Sequence, residues 1–326
     1  MRIPASMSLA RANAIVKRLG ASTSDVNSYY TTQTLQGCER ASDCDYRHLA
    51  GWSMDVTGAC MASPRIGLVE THLEPKHPAL LGQKIEIIDV KPAERPRSGS
   101  SHGTGIAALL VGARESKAPG LLPDAELIVA TPFYRAGNAD RAEAADIIRA
   151  IDAVVSRQPD VLSLSLAGPP NAALARVLET VRARGIPVVA AAGNGGAKSK
   201  PLYPAAYDTT IAVTAVTAKL NIFRRASRGD HVDFAAPGVE IAVADGKNGL
   251  TKRSGTSFAV PFVTASLAVL RAQQPARTID DMVGELAASA KDLGEPGKDS
   301  TFGWGLADAS RLCAGPAEQL LLPVSR

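Results

Sequence analysis

From residue 65 onward, short runs of β-branched and other apolar residues alternate with longer Ala-rich stretches whose apolar positions recur at helical spacing. The runs predict strands at residues 65–69, 84–90, 125–130, 161–166, 187–191 and 210–216. The longer stretches predict helices at 104–112, 141–157, 172–184 and 257–273. Several strand runs are apolar at every position, not at every second one, as a strand must be when helices cover both faces of its sheet. Strand and helix taking turns predicts an α/β fold with a doubly wound, mostly parallel sheet and helices on both faces. Ahead of residue 65 the pattern differs. Leu9, Ile15, Val16 and Leu19 mark a short amphipathic helix, and a polar stretch rich in Ser and Thr follows it to about Gln36. That N-terminal part is too small to have a core of its own. The division expected is an extension over residues 1–60, one large domain over 61–312 and a tail over 313–326.

In such a sheet, ligands bind beyond the carboxyl ends of the strands, so the residues at the strand exits matter most. Val69 leads into Glu70, Leu164 into Ser165-Leu166-Ala167-Gly168, and Ala191 into Ala192-Gly193-Asn194. Composition then says how the core is built. Of the 326 residues, 45% are hydrophobic but only 4% aromatic, so Ala, Val, Leu and Ile must fill it. Gly255, Ala259, Ala265 and Ala268 suit a helix passing through the middle of the protein against the sheet.

Charge removes several function classes. There are 36 Lys plus Arg against 32 Asp plus Glu, a net +4, with no basic runs, so nucleic-acid binding gains no support. The longest uncharged stretch, residues 254–270, falls short of the roughly 20 apolar residues of a bilayer span and contains Ser, Thr and Pro. It is read as a buried helix, and no membrane span is expected. The first twenty residues carry positive charge without a continuous apolar segment, so no signal peptide is read in the chain as given. Cys38, Cys44, Cys60 and Cys313 allow three pairings. Cys38 with Cys44 and Cys60 with Cys313 is the expected arrangement, which implies an oxidising, extracytoplasmic compartment. The alternatives are four free thiols in a cytosolic protein, or an irregularly spaced zinc site that includes His48.

Two helix starts carry candidate chemistry. Gly255-Thr256-Ser257-Phe258-Ala259-Val260-Pro261 puts a serine at the positive end of an uncharged helix, with Pro261 expected in its first turn. Ser is also a common N-cap, so this motif alone marks a helix start. Ser101-His102-Gly103-Thr104-Gly105 opens a second apolar helix. A hydroxyl needs a neighbouring base to act as a nucleophile at neutral pH, and imidazole titrates in the useful range. Asn194 offers an amide to a developing oxyanion, and reads equally well as a turn residue.

Taken together these segments resemble the subtilisin-like serine peptidases, the subtilases. The likeness covers residues 61–312 in the family's order. It runs from Ile66-Gly67-Leu68-Val69-Glu70-Thr71 and His77-Pro78-Ala79-Leu80, through His102-Gly103-Thr104-Gly105 and Leu164-Ser165-Leu166-Ala167-Gly168-Pro169, to Ala192-Gly193-Asn194 and Tyr203-Pro204-Ala205. It continues with Val232-Asp233-Phe234-Ala235-Ala236-Pro237-Gly238, the Ser257 motif, and Phe302-Gly303-Trp304-Gly305-Leu306-Ala307-Asp308. The resemblance implies an endopeptidase working through an acyl-enzyme, with Ser257 as nucleophile, His102 as general base and then acid, and Asn194 as oxyanion donor. It implies a polypeptide substrate whose main chain pairs with Ser165, Leu166, Ala167 and Gly168. No cofactor is expected. It implies nothing about oligomeric state. Residues 1–36 are too few for a complete prosegment of the kind many subtilases carry, and stand as its remainder or as a structural extension.

Three positions depart from the family pattern. Glu70 stands where the family has Asp, with the same charge one methylene further out. Glu serves in the same triad logic in other folds, yet a misplacement of about 1 Å can cost ~10²-fold, so a slow or non-catalytic peptide-binding protein stays open beside the enzyme. The segment at residues 112–120 is short and basic and lacks an Asn-rich insertion used for calcium by many relatives, so no metal is expected there. Ala167 replaces a glycine often found beside the pocket for the residue before the scissile bond, implying a small or medium residue there. An esterase of the α/β-hydrolase type is disfavoured, since that fold runs Ser, acid, His, whereas the order here is acid, His, Ser.

Overall fold

A computed structural model describes residues 9–18, 29–32, 35–36, 47–52 and 63–313. In chain order the elements begin with α1 (Leu9–Arg18), β1 (Tyr29–Thr32), β2 (Leu35–Gln36) and a single 3-10 turn, Arg47–Ala50. Then come β3 (Arg65–Val69), β4 (Ile85–Asp89), α2 (Ser101–Val111), β5 (Glu126–Thr131), β6 (Tyr134–Ala136), β7 (Ala139–Glu143) and α3 (Ala144–Val155). The next are β8 (Val161–Leu164), β9 (Leu166–Ala167), α4 (Ala172–Ala183), β10 (Val188–Ala191), β11 (Ile211–Val216) and β12 (Val232–Pro237). Last are β13 (Ile241–Ala244), β14 (Leu250–Ser254), α5 (Thr256–Gln273), α6 (Ile279–Ser289) and α7 (Ser310–Cys313).

Seven strands form one parallel sheet in the order β12-β11-β10-β8-β3-β5-β4. The expected doubly wound α/β architecture is therefore present. Strands apolar at every position split their side chains between two cores. Ile66 and Leu68 of β3, Val189 and Ala191 of β10, and Val213 and Ala215 of β11 join α2 and α5 in one cluster. Val69, Val188, Ala190 and Ala212 join α3 and α4 in the other. Every residue of α5 from Thr256 to Leu270 is buried, which is why its sequence is uncharged and rich in small side chains. Its partners are β8, β10, β11, β12, α2, α6 and α7. From β3 the chain goes to β4 and β5 on one side, then crosses to β8 on the other. That reversal makes the carboxyl end of β3 a topological switch point, the place where folds of this class take their ligands.

The edges of elements differ from the sequence expectation for local reasons. The helix expected from residue 141 starts at Ala144, because β6 and β7 form a hairpin with Ala136 opposite Ala139 and a two-residue Gly137-Asn138 loop. Gly137 has φ +60° there, the geometry such a loop needs. Helix α6 was not foreseen; Thr278 caps it by accepting the Asp281 N–H at 3.1 Å, and Asp280 and Asp281 favour its positive end. Pro261 lies at the sixth position of α5, past the first turn where it was expected. Its missing N–H leaves the Ser257 carbonyl without its helical donor, and the Ser165 hydroxyl donates to that carbonyl instead, at 3.1 Å.

The strands ahead of residue 65 pair with later ones. β1 pairs with β7 and β9, and β2 pairs with β14. Trp52 is buried, and the Ala309 N–H donates to the Ala50 carbonyl at 2.9 Å. Cys38, Cys44 and Cys60 and the side chain of Cys313 lie outside the described residues, so the expected disulfides do too. Among the described residues no helix is long and apolar enough to cross a membrane.

Candidate active site

Glu70 follows directly on β3, and its N–H extends the ladder to the Ala130 carbonyl at 3.0 Å. His102 is the second residue of α2 and Ser257 the second of α5. The sheet and the two helices bring the three together. His102 Nδ1 lies 2.9 Å from Glu70 Oε1, and His102 Nε2 lies 3.1 Å from Ser257 Oγ. All three are buried, Glu70 to within 1% and Ser257 completely. The Phe258 ring packs against the imidazole with its centroid 5.3 Å away. A hydroxyl held by an imidazole that is itself held by a carboxylate is the general arrangement that activates a nucleophile.

The Glu70 carboxylate has a second partner in the adjacent main chain. Oε1 also accepts the N–H of the next residue, Thr71, at 2.6 Å, which requires the side chain to fold back toward its backbone. Oε2 is buried and has no hydrogen-bond partner among the described residues. Thr71 in turn accepts the Gly103 N–H on its hydroxyl at 2.9 Å, tying the start of α2 to the end of β3. Gly103 permits that approach, since a Cβ there would come within 2.6 Å of the Thr71 carbonyl oxygen and 2.7 Å of that of His72. Asp89, another carboxylate that ends a strand of this sheet, closes β4 at the sheet's edge and is exposed.

Asn194 follows β10 after Gly193, whose φ of +101° turns the chain. Its Oδ1 accepts both the N–H and the hydroxyl of Thr256, at 3.1 and 3.2 Å, at the start of α5. The Thr256 hydroxyl also accepts the Gly193 N–H at 3.1 Å. With its oxygen engaged this way, the amide of Asn194 has a fixed orientation beside the residue that precedes Ser257. Ser165, Leu166, Ala167 and Gly168 run from the end of β8 through β9. They are anchored by the Ser165 hydroxyl on the Ser257 carbonyl and by reciprocal main-chain bonds between Gly168 and Tyr203, at 2.8 and 3.0 Å. Thr71, Thr256 and the hydroxyl of Ser165 were missed by the sequence reading. Each acts on a main-chain group brought near by the fold, and no spacing rule reveals such a contact.

Two ionisable groups near the site are displaced from their ordinary values. Burial raises the carboxyl pKa of Asp140, against the lowering effects of the Gly99 N–H it accepts at 3.0 Å and of Arg135 at 3.1 Å. Burial, and then the Arg97 guanidinium, lower the pKa of His72. Among the described residues no group of three or more His, Cys, Asp or Glu could hold a metal ion.

Comparison with known proteins gives a consistent answer. The Subtilase family model matches residues 62–305. The minor extracellular protease Epr of Bacillus subtilis is 27% identical over 259 residues, which cover 78% of this chain and 39% of that protein. Subtilisin E of the same organism is 30% identical over 238 residues, 71% of this chain and 61% of that protein. The subtilisin of Bacillus pumilus is also 30% identical, over 71% of this chain and 84% of that protein. The chain thus spans well under two thirds of Epr and somewhat under two thirds of subtilisin E. Among solved structures, the prenylagaramide maturation protease PagA superposes with a TM-score of 0.67 over 81% of this chain and 97% of that one, at 22% identity. That last likeness concerns the fold.

Proposed function

This chain belongs to the subtilase family, and from that premise we propose that it is a serine endopeptidase that cleaves polypeptides through an acyl-enzyme. The observation that carries the reading is the unbroken row from Glu70 through His102 to Ser257, at 2.9 and 3.1 Å. Ser257 Oγ adds to the scissile carbonyl while His102 Nε2 takes its proton, and His102 then gives that proton to the departing amine. Glu70 keeps the other proton on Nδ1 and offsets the charge of the imidazolium. The Asn194 amide and the Ser257 N–H hold the oxyanion, in the low-dielectric setting where such donors act most strongly. The substrate's main chain pairs along Ser165 to Gly168 as an added strand. Ala167 narrows the adjoining pocket and favours a small or medium residue before the scissile bond. No cofactor enters this chemistry. An extracytoplasmic setting fits the reading, since Epr is by its name an extracellular protease.

The test is covalent labelling by a fluorophosphonate probe, with the modified residue mapped by mass spectrometry. Labelling at Ser257 in the folded protein, absent after unfolding, is expected. A folded protein that takes no label is instead a peptide-binding relative. Cleavage of a peptide library by the same preparation then tests both endopeptidase action and the preference for small or medium side chains.

Asn194→Ala is expected to lower kcat by ~10² to 10³, a magnitude known from subtilisin, a member of the same family. Ala at this position also leaves the Thr256 N–H without the acceptor it has at 3.1 Å. A buried donor left unpaired costs about 1–3 kcal/mol, so a lower Tm should accompany the slower turnover. Unchanged kcat with a lowered Tm would reduce Asn194 to a structural part.

A further inference from the structure

Beside the start of α2 stands a cation without a counterion. Arg253, on β14, lies four residues before Ser257, and its Nη2 donates to the Ser101 hydroxyl at 2.8 Å. Ser101 is the first residue of α2 and the neighbour of His102. The β13–β14 pair turns one face toward that helix. Arg253 is opposite Ile241 and Thr251 opposite Val243, and a Cβ on Gly105 of α2 would come within 3.0 Å of Val243 Cγ2. Among the described residues no carboxylate forms an ion pair with the guanidinium. Its Nε is buried without a hydrogen-bond partner, while Nη1 has no partner and is not sealed from solvent. The charge of Asp245 reaches it, but that carboxylate is committed within its own turn, where Oδ1 accepts the Lys247 and Gly249 N–H groups at 2.7 and 3.0 Å. Burial lowers the pKa of Arg253, and Asp245 opposes this. A guanidinium keeps its charge even so. Partly withdrawn from water and unpaired, it gains from any carboxylate brought to it.

The proton path fixes which part of a substrate meets this group. His102 gives its proton to the departing amine, so that amine must lie within hydrogen-bond reach of Nε2, and the leaving side of the substrate passes the start of α2. The acyl side is committed to Ser165 through Gly168, which leaves β14 for the residues after the scissile bond. An extended main chain fits there, since β2 runs along β14 with Leu35 opposite Ser254 and Gln36 opposite Arg253. Resting on the peptidase reading of the site, we propose that Arg253 is a specificity-determining residue, selecting polypeptides that carry Asp or Glu at the first or second position after the scissile bond. The substrate carboxylate meets Nη1, and the Ser101 hydroxyl keeps the guanidinium aimed. Arg253 moves no proton and breaks no bond. It decides which peptides are held productively.

Fluorogenic peptides identical except for Glu, Gln or Lys at the first or the second position after the bond test this. Wild-type kcat/KM should be about tenfold higher for Glu than for Gln, the scale of one charge-assisted hydrogen bond, and lowest for Lys. Arg253→Gln should bring the Glu-to-Gln ratio to about one, and Arg253→Glu should reverse the order in favour of Lys. Where β2 holds the β14 edge it slows every peptide by the same factor, so the ratio is unaffected. The wild-type ratio needs no variant, and it decides even where a substitution at Arg253 lowers Tm. A wild-type protein that cleaves all three peptides with a Glu-to-Gln ratio near one overturns the role of Arg253 and leaves the proposed activity standing. A ratio that persists in Arg253→Gln assigns the preference to another residue and overturns it as well. A folded protein that neither cleaves nor labels at Ser257 overturns the peptidase reading, and this inference with it.

Discussion

Ser257→Ala should lower kcat for peptide hydrolysis about 10⁶-fold, His102→Ala should cost about as much, and the double variant should be no worse than either alone. The magnitude and the lack of additivity are known from subtilisin, a member of the same family. On the proposed mechanism they follow because the hydroxyl and the imidazole act as one unit. Without Nε2 at 3.1 Å the Ser257 proton loses the base that would take it, and without Oγ that base has nothing to deprotonate. What survives is the contribution of parts neither change touches, the Asn194 amide and the strand at Ser165 to Gly168, worth ~10³ to 10⁴ over water in the same enzyme. Ser257→Ala is also a mild structural change. Its main-chain carbonyl keeps the Ser165 hydroxyl, and a methyl group fits a fully buried site. Turnover on a fluorogenic peptide, read beside Tm, separates the two effects. If Ser257→Ala retains more than about a hundredth of wild-type kcat at an unchanged Tm, another residue is the nucleophile.

How far the sequence revealed this site depends on what each part is made of. The sheet was legible because its strands are continuous apolar runs, and α5 because seventeen uncharged residues can only be buried. Glu70, His102, Asn194 and Ser257 stood out as candidates because each stands at the mouth of a strand or helix, where a fold of this class gathers chemistry. Pro261 shows the limit. Its spacing from Ser257 was plain, but its placement past the first turn depends on where α5 begins, and the hydroxyl that answers it comes from Ser165, 92 residues away. The Gly137-Asn138 turn and the Thr278 cap were present as local signals and passed over. The pairing of β1 and β2 had no such signal. Short strands added to the edge of a domain contribute main-chain bonds without a periodic apolar face, so the stretch before Gln36 read as polar and irregular.

Glu70 separates charge from length. Glu70→Gln should lower kcat about 10⁴-fold, the loss that follows when the triad acid becomes an amide, while Glu70→Asp should stay within about 10²-fold of wild type, the scale of a 1 Å misplacement. In Glu70→Gln both orientations of the amide fail. With nitrogen toward His102 it donates to Nδ1, which moves the ring proton to Nε2 and blocks acceptance from Ser257. With oxygen toward His102 it keeps the Thr71 N–H bond seen at 2.6 Å, but a neutral group no longer offsets the imidazolium. Aspartate keeps the charge and gives up only length, and the length in use is already reduced because Glu70 folds back onto Thr71. Replacing it removes a methylene that the fold-back consumes, so the carboxylate needs only a modest adjustment to meet Nδ1. The ratio of the two variants' kcat values is the deciding quantity, since it cancels differences in expression and folding shared by both. A ratio of Asp to Gln above about 100 means that the carboxylate's charge carries the role. Equal turnover in Glu70→Gln and wild type would remove Glu70 from the mechanism and leave His102 and Ser257 working as a pair.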